Sequence, residues 1–477
     1  MQIYNQKLTA SFDENMALMD RLLRVEESFD LIRRPLVVDG VRMVLYYIDG
    51  FVQSPSMQKL MMHFVSLKAA DFGDGKAGAA QRFAETHVPT VEVDVTDSVD
   101  SLILMTMSGC AAILCEGFGA GGIVVDLRTY PAREASEPEN DRVMRGSRDG
   151  FVETLIFNTA MIRRRIRDTA LTVQYLNVGS SSRTDLALVY MADKADMKYV
   201  SELTQKLKNL KTDSLTLGHR SVSECLIRTN WYNPFPKIRT TERPDAAAAS
   251  ILEGSVILLC DNSPEAMIFP TSIFDFLEET DDFYFPPLTG SYLRILRHIV
   301  FWLTVVLTPT WYLLLGHPEW VPQWLSMIFP ADPGALPILA QLILAEFALD
   351  GLKLASLNTP NMLSNSLSVV GGLLLGDFAV TVGWLSPDVI FYMAFVAIAN
   401  FTQSSYELGY AFKFMRMILL LLTAVFDIWG YIAGIIFTLV LVATNKTVNG
   451  KRSYLYPLIP FNGKALARLL FRLKKNT

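Results

Sequence analysis

The chain contains few cysteines and histidines. Among its 477 residues there are four cysteines and five histidines, and the histidines show no metal-ligand spacing. The cysteines lie in or beside apolar runs without the pattern of a disulfide framework, so we expect buried thiols at Cys110, Cys115, Cys225 and Cys260. The sequence therefore indicates no metal and no cofactor, and it does not indicate an enzyme.

Charge is scarce between residues 291 and 445. Residues 295–315 form an apolar run close to the ~20 residues that a helix needs to cross a bilayer, and Trp302 and Trp311 lie within it. Residues 389–401 and 417–442 are apolar on every face, unlike a helix at the surface of a soluble protein. This region predicts an α-helical polytopic membrane bundle with six spans, or with four spans and a re-entrant segment. The six-span alternative requires a tight hairpin at residues 426–428.

Acidic residues are missing after Asp427, whereas Lys and Arg are frequent in the tail, residues 446–477. The positive-inside rule predicts that this basic tail is cytosolic, and an even number of spans then places both termini in the cytosol. The first residues lack the basic and apolar segments of a cleaved signal. With a net charge of −5 and no basic surface pattern, the chain is not expected to bind nucleic acid, and membrane lipid is the expected partner.

The first 290 residues have the pattern of an α/β soluble domain. Residues 1–30 predict an amphipathic helical arm, with a helix over residues 11–28 that Ser11 or Asp13 can cap. Strand and helix patterns follow at residues 42–48, 56–67, 111–115 and 122–127, and the same order returns at residues 185–193, 197–210, 254–261 and 266–269. This repeat predicts two related subdomains, residues 31–144 and 145–290, each with a mixed sheet and flanking helices.

Three glycines have the spacing of a dinucleotide-binding fingerprint: Gly117, Gly119 and Gly122. A phosphate cradle needs the N-terminus of a helix behind the glycine loop, and here a strand follows. We therefore expect a β-hairpin at this position and no nucleotide site.

Residues 137–166 combine a basic cluster with an apolar helical stripe. One interpretation is a solvated basic face at the end of a helix, where the helix dipole favours cations. The other is a joint between subdomains or subunits, in which arginines form bidentate pairs with acids. The candidate joint residues are Arg145, Arg148, Glu153, Arg163, Arg164, Arg165, Glu242, Arg243 and Asp245.

Ionisable residues interrupt one of the apolar runs. Glu346, Asp350 and Lys353 are spaced by four and three positions, so a helix over residues 336–357 carries one charged stripe. A charged group in hydrocarbon is costly and usually faces a cavity or a partner. The stripe predicts either a helix lying at the membrane interface or the lining of a polar conduit. The candidate pore-lining residues are Glu346, Asp350, Asp377 and Thr381.

Small residues recur at a spacing of four positions in two of the apolar runs. Gly372 with Gly376, and Gly430 with Gly434, predict flat seams where two helices approach closely.

Several motifs resemble the GerA family, the A-subunits of bacterial spore germinant receptors. They are YYIDG at residues 46–50, EP at 137–138, RGSRDGFVE at 145–153, NTAMIRRRI at 158–166, ERPD at 242–245 and VVGGLLLGDFAV at 369–380. The chain departs from the receptor pattern at residues 349–360, at Ser147 and at Ser404. These differences favour a sporulation-protein branch of the family over a nutrient receptor.

The resemblance implies a membrane protein of the spore inner membrane that acts in germination. It implies a homo-oligomer working with other spore inner-membrane germination proteins, and an ion channel or channel-forming subunit. Acidic lining would favour cations. The alternative hypothesis is a non-conducting scaffold that assembles germination proteins through its cytosolic domain.

Overall fold

The computed structural model describes residues 4–129, 147–210, 212–227, 232–279, 284–357, 379–402, 405–445, 447–448 and 453–471. The chain folds into two compact units. The α/β unit comprises Met1–Arg228 and Ile238–Thr271, and the helical unit comprises Thr229–Lys237 and Ser272–Thr477.

The α/β unit is built from two copies of one arrangement. The first copy contains α1 (Phe12–Leu23), β1 (Leu31–Val38), β2 (Val41–Ile48), α2 (Ser54–Val65), α3 (Ala79–His87), β3 (Val93–Thr96), α4 (Val99–Met107), β4 (Ala111–Cys115) and β5 (Gly122–Val125). The second contains α5 (Leu155–Arg165), β6 (Leu171–Val178), β7 (Thr184–Met191), α6 (Met197–Lys208), α7 (His219–Leu226), β8 (Arg239–Thr241), α8 (Pro244–Leu252), β9 (Val256–Cys260) and β10 (Ala266–Phe269). The predicted repeat is confirmed, because the sheet orders β1-β2-β4-β5-β3 and β6-β7-β9-β10-β8 correspond strand by strand.

Both sheets are antiparallel, so the expectation of mixed sheets was wrong. Every strand pair given by the described residues runs antiparallel. The physical reason lies in the connections: β1 joins β2 through the two residues Asp39 and Gly40, and such a short turn can join only antiparallel neighbours. In the first copy, apolar side chains of the sheet pack on both faces, against α1 and α4 on one side and α2 and α3 on the other.

The glycine-rich segment between β4 and β5 is a hairpin connection, as predicted. β4 and β5 pair antiparallel, and a short 3-10 helix, Glu116–Phe118, lies between them. A Cβ added to Gly117 would lie 2.2 Å from the carbonyl oxygen of Phe72. The glycine is needed because another loop of the protein approaches its backbone, which explains the fingerprint-like spacing without a nucleotide.

Helix α1 shows how the local sequence sets an element boundary. The Ser11 side chain accepts a hydrogen bond from the backbone N–H of Glu14, so Ser11 is the N-cap. The helix stops at Leu23, earlier than predicted, because Arg24 adopts a left-handed conformation with φ 58° and its N–H donates to the Asp20 carbonyl. Phe12, Met19 and Leu23 pack into the core of the first copy.

The helical unit consists of helices joined by loops and short 3-10 turns. Its longer helices are α9 (Pro287–Gly316), α10 (Ile338–Leu357), α11 (Pro387–Phe401), α12 (Tyr406–Thr444) and α13 (Gly463–Leu470). Helices α9 and α12 are long and apolar enough to cross a membrane, with mean hydropathies of 1.8 and 2.1. The shorter helix Pro387–Asn400 is also apolar.

Helix α12 is a hairpin of two arms. Asp427 breaks it with non-helical angles, φ 54° and ψ −135°, at the position where a tight turn was expected. A Cβ on Gly430 would lie 1.9 Å from the Leu422 carbonyl oxygen, and one on Gly434 would lie 2.5 Å from a Leu419 methyl group. Residues 406–426 and 428–444 therefore pack against each other closely, and the two glycines lie in the seam.

The expectation of four buried thiols was wrong for one residue. Cys110, Cys115 and Cys260 are buried, and burial raises the pKa of the Cys260 thiol to about 12. Cys225 is exposed at the edge of the face by which helix α7 buries Val222 and Leu226.

Candidate functional site

A cluster of charged side chains lies inside the helical unit. Glu346 and Asp350 are four residues apart on α10, and Lys413 and Arg416 are three residues apart on the first arm of α12. These spacings place each pair on one face of its helix. Because the acidic face of α10 meets the basic face of α12, opposite charges are brought together between otherwise apolar helices. We call these four residues the charge cluster.

The pair of Glu346 and Arg416 forms the buried end of the charge cluster. The exposed fractions of the two residues are 4% and 1%. Arg416 Nε donates to Glu346 Oε1 at 2.7 Å, and Arg416 Nη2 lies 2.6 Å from the same oxygen. Arg416 Nη1 donates to the carbonyl oxygen of Thr304 on α9 at 3.1 Å. One guanidinium therefore connects three helices.

Lys413 links this pair to the more open end of the charge cluster. Its ammonium donates to the Glu346 carbonyl oxygen at 3.3 Å and lies 3.5 Å from Glu346 Oε2. It also forms an ion pair with Asp350, whose side chain keeps 32% of its exposure. The charge cluster thus extends from a sealed interior at Arg416 to a partly open end at Asp350.

The pairing explains why apolar helices tolerate these charges. Moving a single charge out of water is strongly unfavourable, whereas a paired and hydrogen-bonded charge is tolerated. Two acids and two bases compensate each other in the cluster. Lys353, the third charge of the predicted stripe, lies 4.6 and 4.7 Å from the ring centroids of Tyr406 and Tyr410. These distances are typical of cation–π contacts.

Sequence reasoning identified Glu346 and Asp350 but missed their partners. These partners, Lys413 and Arg416, lie on another helix and were not among the predicted site residues. The spacing of three residues between these two basic side chains, within an apolar run, was the signal that both lie on one face of a helix. Such a face needs acidic partners.

Of the two remaining candidate pore-lining residues, the structure describes only Thr381, which is not part of the charge cluster. Thr381 is exposed at the end of the short helical segment Ala379–Thr381. Asp377, together with the predicted glycine seam at Gly372 and Gly376, falls outside the described residues.

A second buried ion pair joins the two copies of the α/β unit. Arg163, fully buried on α5 of the second copy, forms a bidentate pair with Asp30 of the first, with Nε–Oδ2 at 2.8 Å and Nη2–Oδ1 at 2.9 Å. It also donates to Ser28 Oγ at 3.1 Å and to the Leu171 carbonyl oxygen at 3.0 Å. Phe29 N–H donates to the Val173 carbonyl oxygen at 2.9 Å beside it.

Five of the other candidate joint residues make contacts within the second copy of the α/β unit. Arg165 pairs with Asp149, and Arg243 pairs with Asp245 and donates to the Ser147 carbonyl oxygen. The Glu153 and Glu242 carbonyl oxygens accept from Asn262 and Phe151. Arg148 and Arg164 are exposed, and Arg145 lies outside the described residues.

A histidine joins the end of α9 to the turn of the α12 hairpin. His317 Nε2 lies 2.8 Å from Asp427 Oδ2, and its Nδ1 lies 3.0 Å from Glu319 Oε1. Its ring stacks on Trp320 with centroids 4.0 Å apart. Hydrogen bonds first to Glu319 and then to Asp427 raise the pKa of His317 above its ordinary value.

The structure defines a class of protein in which a duplicated antiparallel α/β unit is combined with a unit of apolar helices that holds paired internal charges. The family model described as Bacillus/Clostridium GerA spore germination protein matches residues 20–477, and the chain belongs to this family. The resemblance expected from the motifs is therefore confirmed.

Two curated relatives illustrate this membership. The chain is 35% identical over 448 residues to stage V sporulation protein AF of Bacillus subtilis (strain 168), covering 94% of this chain and 90% of the relative. It is 29% identical to spore germination protein KA of the same organism, covering 94% and 82%. It also matches the crystal structure of the N-terminal domain of the A subunit of the Bacillus megaterium spore germinant receptor GerK3. That match has 24% identity and a TM-score of 0.43, and it covers 56% of this chain and 97% of that one.

Proposed function

We propose that this protein is a subunit of the spore inner membrane that acts in bacterial spore germination as an oligomeric cation channel or channel-forming component. The single observation that carries this proposal is the charge cluster, which lies between apolar helices in a chain of the GerA family. Two relatives are named as sporulation and germination proteins, which supports the same process for this chain.

The helical unit, in this proposal, lies in the bilayer with both termini in the cytosol. Helices α9 and α12 have the length and apolarity of spans, and the break at Asp427 divides α12 into two arms. The spans of α9, α10, α11 and the two arms of α12 supply five of the six passes that the sequence predicts. The absence of acids after Asp427 in the sequence supports a cytosolic tail.

Cation conduction uses the open end of the charge cluster. Identical subunits around an axis repeat each polar side chain as a ring, and a ring of carboxylates concentrates cations. Asp350 is the acid best suited to this role, since it keeps 32% of its side-chain exposure. Its ion pair with Lys413 neutralises it, so the conducting state requires Lys413 to release Asp350. Glu346 and Arg416 hold the helices behind it.

A second candidate function is a non-conducting scaffold. The observation that favours it is the size of the α/β unit, which takes up more than half of the chain and contains two complete sheets. In this alternative the α/β unit docks other germination proteins, and the charges of the helical unit serve only stability.

The two functions are separated in spores that carry variants of this protein at equal abundance, checked by immunoblot. The channel predicts that Asp350→Asn delays ion release and germination, while the matched exposed-acid control Asp332→Asn leaves both unchanged. The scaffold predicts normal timing for Asp350→Asn and loss of germination when the α/β unit is deleted. Normal ion release with Asp350→Asn would overturn the proposed role of this residue.

A further inference from the structure

The C-terminal segment, residues 453–471, is fixed to the helical unit at its beginning. Tyr454 is 1% exposed, its hydroxyl donates to the Pro236 carbonyl oxygen at 2.7 Å, and its carbonyl oxygen accepts from Ile273 N–H at 2.9 Å. The segment ends in helix α13, where Asn462 Oδ1 caps the N-terminus by accepting from Ala465 N–H. These contacts therefore hold this short segment in place.

The position of α13 within the helical unit follows from its buried side chain. Leu469 is 6% exposed and belongs to a core cluster with Leu408, near the start of α12, and with Leu441 and Val442, near its end. Both ends of the hairpin meet in this cluster, whereas Asp427 forms its opposite tip. Helix α13 thus lies at the end of the helical unit where α12 begins and ends.

The outer face of this segment combines exposed apolar side chains with positive charge. The exposed fractions are 43% for Leu458, 57% for Ile459 and 74% for Phe461, and Phe471 keeps 47% beyond the helix. Lys464 is exposed at the start of α13. The sequence adds Arg468, Arg472, Lys474 and Lys475, and it contains no acid after Asp427.

An apolar face next to a run of basic residues is the pattern of a segment that lies in a membrane interface. The apolar side chains enter the boundary of headgroups and acyl chains, and the basic ones contact anionic headgroups. A protein partner of opposite charge would need an acidic rim around an apolar pocket. An anionic bilayer supplies both the negative charge and the apolar region. It would meet this segment at the end of the helical unit where α12 begins and ends.

We propose that residues 458–471 form a binding site for anionic phospholipid headgroups at the cytosolic membrane surface. Ile459 and Phe461 insert into the interface, while exposed Lys464 binds a lipid phosphate. The sequence places the second basic residue, Arg468, one helical turn further along α13. The site rests on the placement of the helical unit in a bilayer, which belongs to the proposed function.

The test uses the full-length protein in nanodiscs. Phe461→Cys on a Cys225→Ser background carries an environment-sensitive fluorophore, since the remaining cysteines are buried. The proposal predicts a blue shift when phosphatidylglycerol is added to phosphatidylcholine discs, reversed by high salt. In Lys464→Gln/Arg468→Gln the equilibrium constant for the inserted form should fall about fivefold for each basic residue removed. Protein labelled at Cys225 in the native sequence is the control and should show no dependence on phosphatidylglycerol.

Three results would overturn the site. Equal emission with and without phosphatidylglycerol would mean insertion without headgroup recognition. Emission that is already blue-shifted in detergent and unchanged by lipid would mean that Phe461 is covered by protein, such as a second copy. A protein that resists incorporation into discs of either lipid would remove the membrane placement itself, whereas normal incorporation without a lipid response would leave the proposed function intact.

Discussion

Arg416 contacts Glu346 through Nε and Nη2 at 2.7 and 2.6 Å, although both residues lie on apolar helices and are almost completely buried. The same guanidinium donates to Thr304, so it connects α9, α10 and the first arm of α12. Packing alone does not require such a pair, because apolar residues of similar volume fill a buried site at no greater free-energy cost. Its presence in the helical unit therefore indicates a role beyond filling space.

Removing one partner of this pair should be strongly destabilising. Glu346→Gln leaves the Arg416 charge buried without its counterion, and we expect a loss of about 3–5 kcal/mol in the free energy of unfolding. The double variant Glu346→Gln/Arg416→Met should recover most of that loss, because it removes the unpaired charge. Unfolding of purified protein in one detergent measures both. The exposed control Asp332→Asn should change stability by less than about 1 kcal/mol. A mild effect of Glu346→Gln would contradict a sealed pair.

The buried pair of Arg163 and Asp30 makes a similar prediction for the α/β unit. Arg163→Met removes both bonds to Asp30 and those to Ser28 and Leu171, and it leaves the Asp30 carboxylate buried without its counterion. We expect a loss of about 3–5 kcal/mol. Hydrogen exchange at residues 28–30 and 171–173 should accelerate in the variant. Arg148 is exposed, so the control Arg148→Met should stay within about 0.5 kcal/mol of the parent. Equal effects of the two substitutions would disprove the joint.

The hairpin seam predicts opposite effects for two Gly→Ala substitutions in helices. A Cβ on Gly430 would meet the Leu422 carbonyl oxygen at 1.9 Å, so Gly430→Ala should separate the arms and cost about 1–3 kcal/mol. Gly351 on α10 has no atom within 4 Å of such a Cβ. Gly351→Ala should therefore stabilise the protein by about 0.5–1 kcal/mol through a higher helix propensity. Thermal unfolding distinguishes the two, and a tolerated Gly430→Ala would contradict the close seam.

His317 predicts a pH-dependent stability. Its pKa in the folded protein is raised above the ordinary value of 6.5 by Glu319 and Asp427. The stabilisation is therefore complete below the unfolded pKa and is lost as the pH rises through the folded pKa. The melting temperature should fall between about pH 5.5 and pH 8. In His317→Asn this part of the fall should disappear. A parent and variant with parallel pH profiles would show that the contact contributes nothing.

Much of the α/β unit could be predicted from sequence because its signals are local. The β10 strand, the start of α6 and the Ser11 cap follow from alternation, helical spacing and capping chemistry. The edge strand β1 was missed, because Arg33, Arg34 and Pro35 interrupt its apolar pattern. The antiparallel pairing of β2 with β4 and of β7 with β9 was also missed, since these strands are far apart in sequence.

The sequence predicted the acidic residues of the candidate site but not their basic partners. An acid in an apolar helix is visible in the sequence, but its counterion lies about 70 residues away on another helix, as Glu346 and Arg416 do. Asp30 was overlooked as the partner of Arg163 for the same reason, with 133 residues between them. Local periodicity identifies which residues need a partner, and only the fold decides which partner they have.

The most direct test of the account is ion efflux from liposomes that contain the purified protein. Potassium-loaded liposomes are diluted into potassium-free buffer with a membrane-permeable counterion, and release is followed with a potassium electrode. The account predicts release above that of empty liposomes, slowed by Asp350→Asn and unchanged by Asp332→Asn. No release of potassium or sodium through the intact protein, alone or together with a germination membrane partner, would contradict it.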